Sequence, residues 1–183
     1  MLKQTIKLGG ILFLIACATA LLLAVTNSLT ADKIAQLQLE KKNEAMAQVI
    51  AAENYNLIES QPESYELYQA ANGDTTVGYA VSIYANGYGG NISMMVGVNP
   101  DLTVNGVSIT DMSETPGLGD NAKKPEFTDL FKGKSENELA LTNEGGTIQA
   151  LSGATITSLA VTNAVRSAVE IVSKEISGGA YSE

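Results

Sequence analysis

The chain has 183 residues, 45% of them hydrophobic and 17% charged, which rules out wholesale disorder and suits one domain with appendages. Its 11 basic and 20 acidic residues give a net charge of −9, which argues against a nucleic-acid partner, because phosphate neutralisation needs clustered Lys and Arg. No His and a single Cys exclude His-based acid–base chemistry, Ser–His–Asp and Cys–His nucleophiles, an internal disulfide and a self-held iron–sulfur cluster, so any redox chemistry falls to an organic cofactor.

The first element is a membrane anchor. From Leu8 to Ala31 no residue is charged, and Leu8 to Val25 is mostly Leu, Ile, Ala, Val and Phe. Twenty-four helical residues reach about 36 Å, longer than the ~30 Å hydrocarbon core. A cleaved signal peptide has a shorter apolar run. A lipoprotein reading of Leu14-Ile15-Ala16-Cys17 meets residues that stay apolar after Cys17. The uncleaved helix is therefore preferred to both. Lys3 and Lys7 favour a cytoplasmic N-terminus, which places the C-terminal domain outside the cytoplasm. Beyond residue 28 the chain has 9 basic against 20 acidic residues, so the anchor and not the surface holds it to the membrane.

Residues 30–55 read as a helix that packs between anchor and domain. Thr30 and Asp32 are its candidate caps, and Ile34, Leu37, Met46, Val49 and Ile50 form its stripe. Pro62 marks the next break. The expected organisation is an anchor over 1–28, a linker and packing helix over 29–61, and a domain over 62–183. In that domain Val77, Tyr79, Val81 and Ile83 alternate as a strand. Gly87-Tyr88-Gly89-Gly90 turns the chain, Ile92–Val98 returns, Asn99-Pro100-Asp101 turns again, and Val104–Ile109 forms a third strand. Pro125–Phe131 suits a short helix and Thr147–Leu151 a last strand. A helix over 157–176 carries Val161, Val165, Ala168, Val169, Val172 and Ile176 on one face and ends at Gly178-Gly179. The class is α+β: a single N-terminal transmembrane helix, then a small antiparallel sheet with packed helices.

Three segments can carry chemistry. Leu151-Ser152-Gly153-Ala154-Thr155-Ile156-Thr157-Ser158 turns through Gly into a helix start, where free N–H groups and the dipole attract an anion such as phosphate. Read structurally, the same Ser and Thr residues are caps and Gly makes the turn. Glu114-Thr115-Pro116-Gly117-Leu118-Gly119-Asp120 is a rigid loop, and Gly87-Tyr88-Gly89-Gly90 is either a tight hairpin or a binding surface. Ile156 is apolar and is expected to turn inward, with Thr155 and Thr157 pointing away from it. No residue reads as a catalytic acid or base. Glu114 is the nearest candidate, and its structural alternative is to accept loop N–H groups. No set of metal ligands appears.

Ser152-Gly153-Ala154-Thr155-x-Thr157 resembles the flavinylation motif of FMN-binding domains in membrane electron-transfer complexes. The Glu114–Gly119 and Gly87–Gly90 segments match that family in the same order, behind one anchor. The whole is similar to the G subunits of Rnf-type ion-translocating oxidoreductases. It departs from their pattern at Gln149, where Asp is common, and at Ser113, where His is usual. The resemblance implies FMN esterified through its phosphate to Thr155, with Ser152, Gly153, Ala154 and Thr157 around the attachment point. Glu114, Thr115, Leu118, Gly89 and Gly90 are then the flavin's surroundings. It further implies an extracytoplasmic flavin transferase that consumes FAD and works with Mg²⁺. The role would be an electron relay in a complex coupling ferredoxin and NAD chemistry to Na⁺ or H⁺ movement, with other membrane subunits as partners. Two other readings stay open: a different covalent-FMN relay, such as the C subunit of a Na⁺-translocating NADH:quinone oxidoreductase or a stand-alone extracellular flavoprotein, and an anchored binding module without redox function.

Overall fold

The computed structural model describes residues 2–61 and 64–179, in two compact units, Met1–Lys41 and Lys42–Glu183. Pro62, the expected break, lies outside the described residues.

Helix α1 runs Leu2–Val49. Its portion in the first unit is long and apolar enough to cross a membrane, and Leu12, Phe13, Leu14, Leu22 and Leu23 stand bare along it, a surface made for lipid. Hydroxyls inside the apolar stretch bond back to their own helix: Thr19 donates to the Ile15 carbonyl at 3.0 Å and Thr26 to the Leu22 carbonyl at 2.7 Å. Neither hydroxyl depends on water. The expected caps at Thr30 and Asp32 are not caps. Thr30 lies inside the helix and donates to the Thr26 carbonyl at 2.9 Å. Residues 31–41 contain neither Gly nor Pro and are rich in Ala, Leu, Gln and Lys, so the helix has no reason to restart.

The expected helix over 30–55 ends instead at Val49. Its end is satisfied by side chains from the second unit. Asn105 Nδ2 donates to the Val49 carbonyl at 2.6 Å, and the Tyr55 hydroxyl donates to the Ile50 carbonyl at 2.6 Å. The predicted stripe splits as well. Met46, Val49 and Ile50 are buried, whereas Ile34 and Leu37, in the first unit, are exposed.

The second unit is built on an antiparallel meander in strict chain order, β1 (Asn54–Gln61), β2 (Tyr65–Asn72), β3 (Thr75–Asn86), β4 (Asn91–Val98) and β5 (Val104–Met112). The three expected strands are β3, β4 and β5. Strand β1 lies where a helix tail and linker were expected, and β2 adds a strand within the expected domain.

Both faces of the sheet are covered. On one, Leu67, Val81, Ile83, Ile92, Met94, Val96 and Val98 pack with α3 (Thr155–Gly179), whose Val161, Val165, Ala168, Val169 and Val172 are buried. Ile176, at the far end of the expected face, is exposed and lies outside the core. Phe127 and Phe131 meet edge to face at 5.4 Å in the same core, from α2 (Pro125–Thr128) and the 3-10 turn that follows. On the other face, Ala45, Met46, Val49 and Ile50 from the last turns of α1 lie on Ala70, Ala80 and Met95. The small residues let the helix come close: a Cβ on Gly97 would collide with the Val49 carbonyl. Lys42 pairs with Glu66 and lies 5.0 Å from the Tyr68 ring centroid. Partial burial pushes the Glu66 carboxyl up, but hydrogen bonds from Lys42 and Tyr68 outweigh it and hold the group below its ordinary value.

Residues 147–151 are not a strand. Ile148 makes one isolated parallel bridge to Leu141, and the segment is a pinned loop in which Ile148 fills the core while Gln149 faces out. Ile148 alone of this segment is fully buried, and the short run before the Ser152-Gly153 turn is too little to sustain a ladder.

Candidate functional site

The three singled-out segments converge. The β3–β4 hairpin closes with the Gly87 N–H on the Gly90 carbonyl at 2.8 Å. After β5 the chain enters the Thr115–Gly119 loop, where the Leu118 N–H donates to the Thr115 carbonyl at 3.1 Å and Asn121 Nδ2 to the Gly117 carbonyl at 2.8 Å. The third segment turns at Gly153, whose φ of +73° belongs to glycine, into the first residue of α3, Thr155.

Between them opens a cleft of about 560 Å³, within the ordinary range of small-molecule sites. Glu114, Thr115, Leu118 and Gly119 line one side, Gly153 to Thr157 the other, and Tyr88 reaches in from the hairpin. Three large apolar side chains are left in the open around it: Tyr88 (72% exposed), Ile156 (55%) and Leu118 (43%). Such a cluster on a domain this small marks a surface meant to be covered.

The start of α3 is the polar end of this cleft. Ala154 occupies the cap position: its carbonyl accepts the first helical bond, from the Ser158 N–H at 3.0 Å. Ala has no side-chain oxygen, so the cap expected from the Ser and Thr residues is absent and the first-turn N–H groups keep their capacity for an anion. Ser158 bonds elsewhere, to the Leu151 N–H and the Ala154 carbonyl, both at 2.9 Å.

The expected orientation holds for Thr155, which is exposed, and is reversed at Ile156 and Thr157. Ile156 faces out. Thr157 is 1% exposed and donates to Glu114 Oε2 at 2.8 Å. Glu114 Oε1 accepts the Gly89 N–H at 3.1 Å, as its structural alternative required. Thr155 is exposed, and among the described residues its hydroxyl has no protein partner. None of the lining residues is basic.

Residues 87–170 match the model of the FMN-binding domain family, and residues 1–49 match that of the RnfG N-terminal region. The G subunit of the proton-translocating ferredoxin:NAD(+) oxidoreductase complex of Clostridium ljungdahlii is 37% identical over 158 residues, 84% of each chain. The chain belongs to the family of G subunits of ion-translocating oxidoreductase complexes. The Na(+)-translocating counterpart from Acetobacterium woodii is 32% identical over 191 residues, 92% of each chain. A crystal structure of the C subunit of the Na(+)-translocating NADH-quinone reductase from Parabacteroides distasonis shares 26% identity over 56% of this chain and 58% of that one, with a TM-score of 0.47.

Of the site residues expected in this member of the G-subunit family, Thr155, Gly153, Ala154, Thr157, Glu114, Thr115 and Leu118 line the cleft. Gly89 is tied to it through Glu114, and Gly90 closes the hairpin behind. Ser152 faces a separate depression with Asn121, Lys124 and Gln149. Tyr88 and Ile156 were not among the expected residues. The signal for both was a large apolar side chain inside a segment already marked as binding.

Proposed function

We infer that this chain is the membrane-anchored electron-relay subunit of an ion-translocating oxidoreductase complex, carrying FMN esterified to Thr155 on a domain outside the cytoplasm. The observation that carries this reading is the exposed Thr155 hydroxyl at an uncapped helix start, inside the cleft the three segments build. The residues fit the group. The Gly153 turn and the first-turn amides of α3 would hold a phosphate, and Tyr88, Leu118 and Ile156 would cover an aromatic ring system. FMN, when bound, supplies one- and two-electron chemistry, and the protein's part is to orient it and shield it from water.

Electrostatics favour a covalent link. The cleft holds a carboxylate, Glu114, and no cation among its lining residues. A helix end contributes only about 0.3–1 kcal/mol toward an anion, too little to retain a phosphate group on its own. An ester to Thr155 removes dissociation altogether. A flavin transferase would make it from FAD in the presence of Mg²⁺: the Thr155 oxygen bonds to the flavin-side phosphorus, AMP leaves, and the hydroxyl proton passes to a base of the transferase.

The remaining roles belong to the other members of the complex. The stretch from Leu8 to Ala31 carries no charged residue, so it offers no ion path. Lys3 and Lys7 favour an N-terminus on the inside. A membrane-impermeant label applied to intact cells is expected to reach the C-terminal domain; labelling only after lysis overturns this orientation. The flavin itself is tested by intact mass after denaturation of the chain made with the transferase. The expected result is a mass increase of one esterified FMN. Flavin released on denaturation, or no flavin at all, overturns the covalent reading.

A further inference from the structure

Two hydroxyls stand two residues apart at the start of α3, and only one of them is free. Thr157 is buried and its O–H is committed to Glu114 Oε2 at 2.8 Å. The other oxygen of the same carboxylate accepts the Gly89 N–H at 3.1 Å. A carboxylate only accepts, so both partners must donate, and the Thr157 proton is thereby assigned. One side chain thus joins the loop after β5 to the β3–β4 hairpin and to the first turn of α3, across 25 and 43 residues of chain. Space is reserved for it. A Cβ on the buried Gly119 would stand 2.6 Å from Glu114 Oε2 and 2.8 Å from Thr157 Oγ1.

We propose that Glu114 is a positioning residue that turns Thr157 inward and fixes the hairpin against the helix start, so that Thr155 and not Thr157 is presented for esterification. A bonded, buried hydroxyl cannot reach a transferase, whereas the partnerless one beside it can. The same carboxylate ties the β3–β4 hairpin to the helix start, because one oxygen binds each. This inference rests on Thr155 as the flavin acceptor.

Glu114→Gln and Glu114→Ala separate geometry from charge. Glutamine keeps one oxygen for the Gly89 N–H and offers an amide N–H to the Thr157 oxygen, so the three segments stay joined without the charge. Alanine removes both bonds. The full chain is purified flavin-free in detergent as wild type and both variants. Amide hydrogen exchange at Gly89 is measured first, and then the rate of flavin incorporation with transferase, FAD and Mg²⁺. In Glu114→Ala, Gly89 exchange is expected to accelerate about tenfold or more, and incorporation to slow about ten- to a hundredfold, through loss of charge-assisted bonds and misplacement of the acceptor. Glu114→Gln is expected to restore both. Wild-type exchange and incorporation in Glu114→Ala overturn the proposal. So does a Glu114→Gln chain as slow as Glu114→Ala, which would assign the effect to charge. If Glu114→Ala does not fold, Thr157→Val serves in its place: incorporation is expected to slow while Gly89 stays protected, and an unchanged rate overturns the proposal. A wild-type chain that takes up no flavin overturns the flavin reading itself, and the flavin-free exchange at Gly89 then still decides whether Glu114 holds the hairpin.

Discussion

Thr155→Val is expected to yield a folded chain with no covalent flavin. The change removes the oxygen proposed to form the ester and little else. Thr155 is exposed, and its hydroxyl has no protein partner among the described residues, so the cost to stability should lie within about ±0.5 kcal/mol, the usual range for surface substitutions. Valine keeps the β-branched shape at the first helical position. Thr157→Val is the instructive contrast. It removes the bond to Glu114 and leaves the acceptor in place, so the adduct should persist on Thr155 at a lower yield. In-gel flavin fluorescence of both variants, with tandem mass spectrometry of the peptide spanning residues 135–166, distinguishes the cases. A fluorescent Thr155→Val chain, or an adduct mapped to Thr157, refutes the assignment and leaves FMN binding as such untouched.

The turn that carries Thr155 also shows where a sequence can be misread. Ile156 was expected inward because it is apolar, yet it is exposed and Thr157 is buried. The period of the helix was the better guide. Counted back from Val161, the core face passes through Ser158 and Thr157, three and four residues earlier, and leaves Ile156 on the other side. Side-chain chemistry lost to periodicity because Glu114 supplies the acceptor that a buried threonine needs, and nothing local to α3 announces a partner 43 residues away. The centre of the sheet was legible for the opposite reason. In β3 and β4 the alternation is strong, since Val81 and Ile83 face the α3 side and Ala80 the α1 side. At the edge, β1 has no buried residue and β2 presents Ala70 and Ala71 where larger residues would signal a strand, so pattern gave way to propensity. The loop through Ile148 looked like a strand because one buried apolar residue beside polar neighbours imitates alternation. Convergence of the three segments was legible only through resemblance. Their order along the chain does not dictate that a hairpin, a loop and a helix start share one cleft.

The anchor and the last turns of α1 should separate cleanly by deletion, although they are one continuous helix. A chain lacking residues 1–28 is expected to be soluble, folded and still open to flavinylation. That deletion removes the bare lipid-facing residues and touches no side chain of the two cores. A chain lacking residues 1–53 should fail to fold, although its loss includes no strand. It forfeits Met46, Val49 and Ile50, each nearly or fully buried. At about 1.5–3 kcal/mol per buried large apolar side chain, the loss of these three removes roughly 4.5–9 kcal/mol. A domain's whole stability is only about 5–15 kcal/mol. The deletion also bares Ala70, Ala80 and Met95 on the sheet, and strips the Asn105 side chain of the Val49 carbonyl it caps. Circular dichroism, thermal melts and size-exclusion chromatography of the two truncated chains decide the matter. If the shorter deletion aggregates however it is produced, the membrane span is part of the fold and not a tether. If the longer one melts like the shorter, α1 contributes nothing to the sheet it covers.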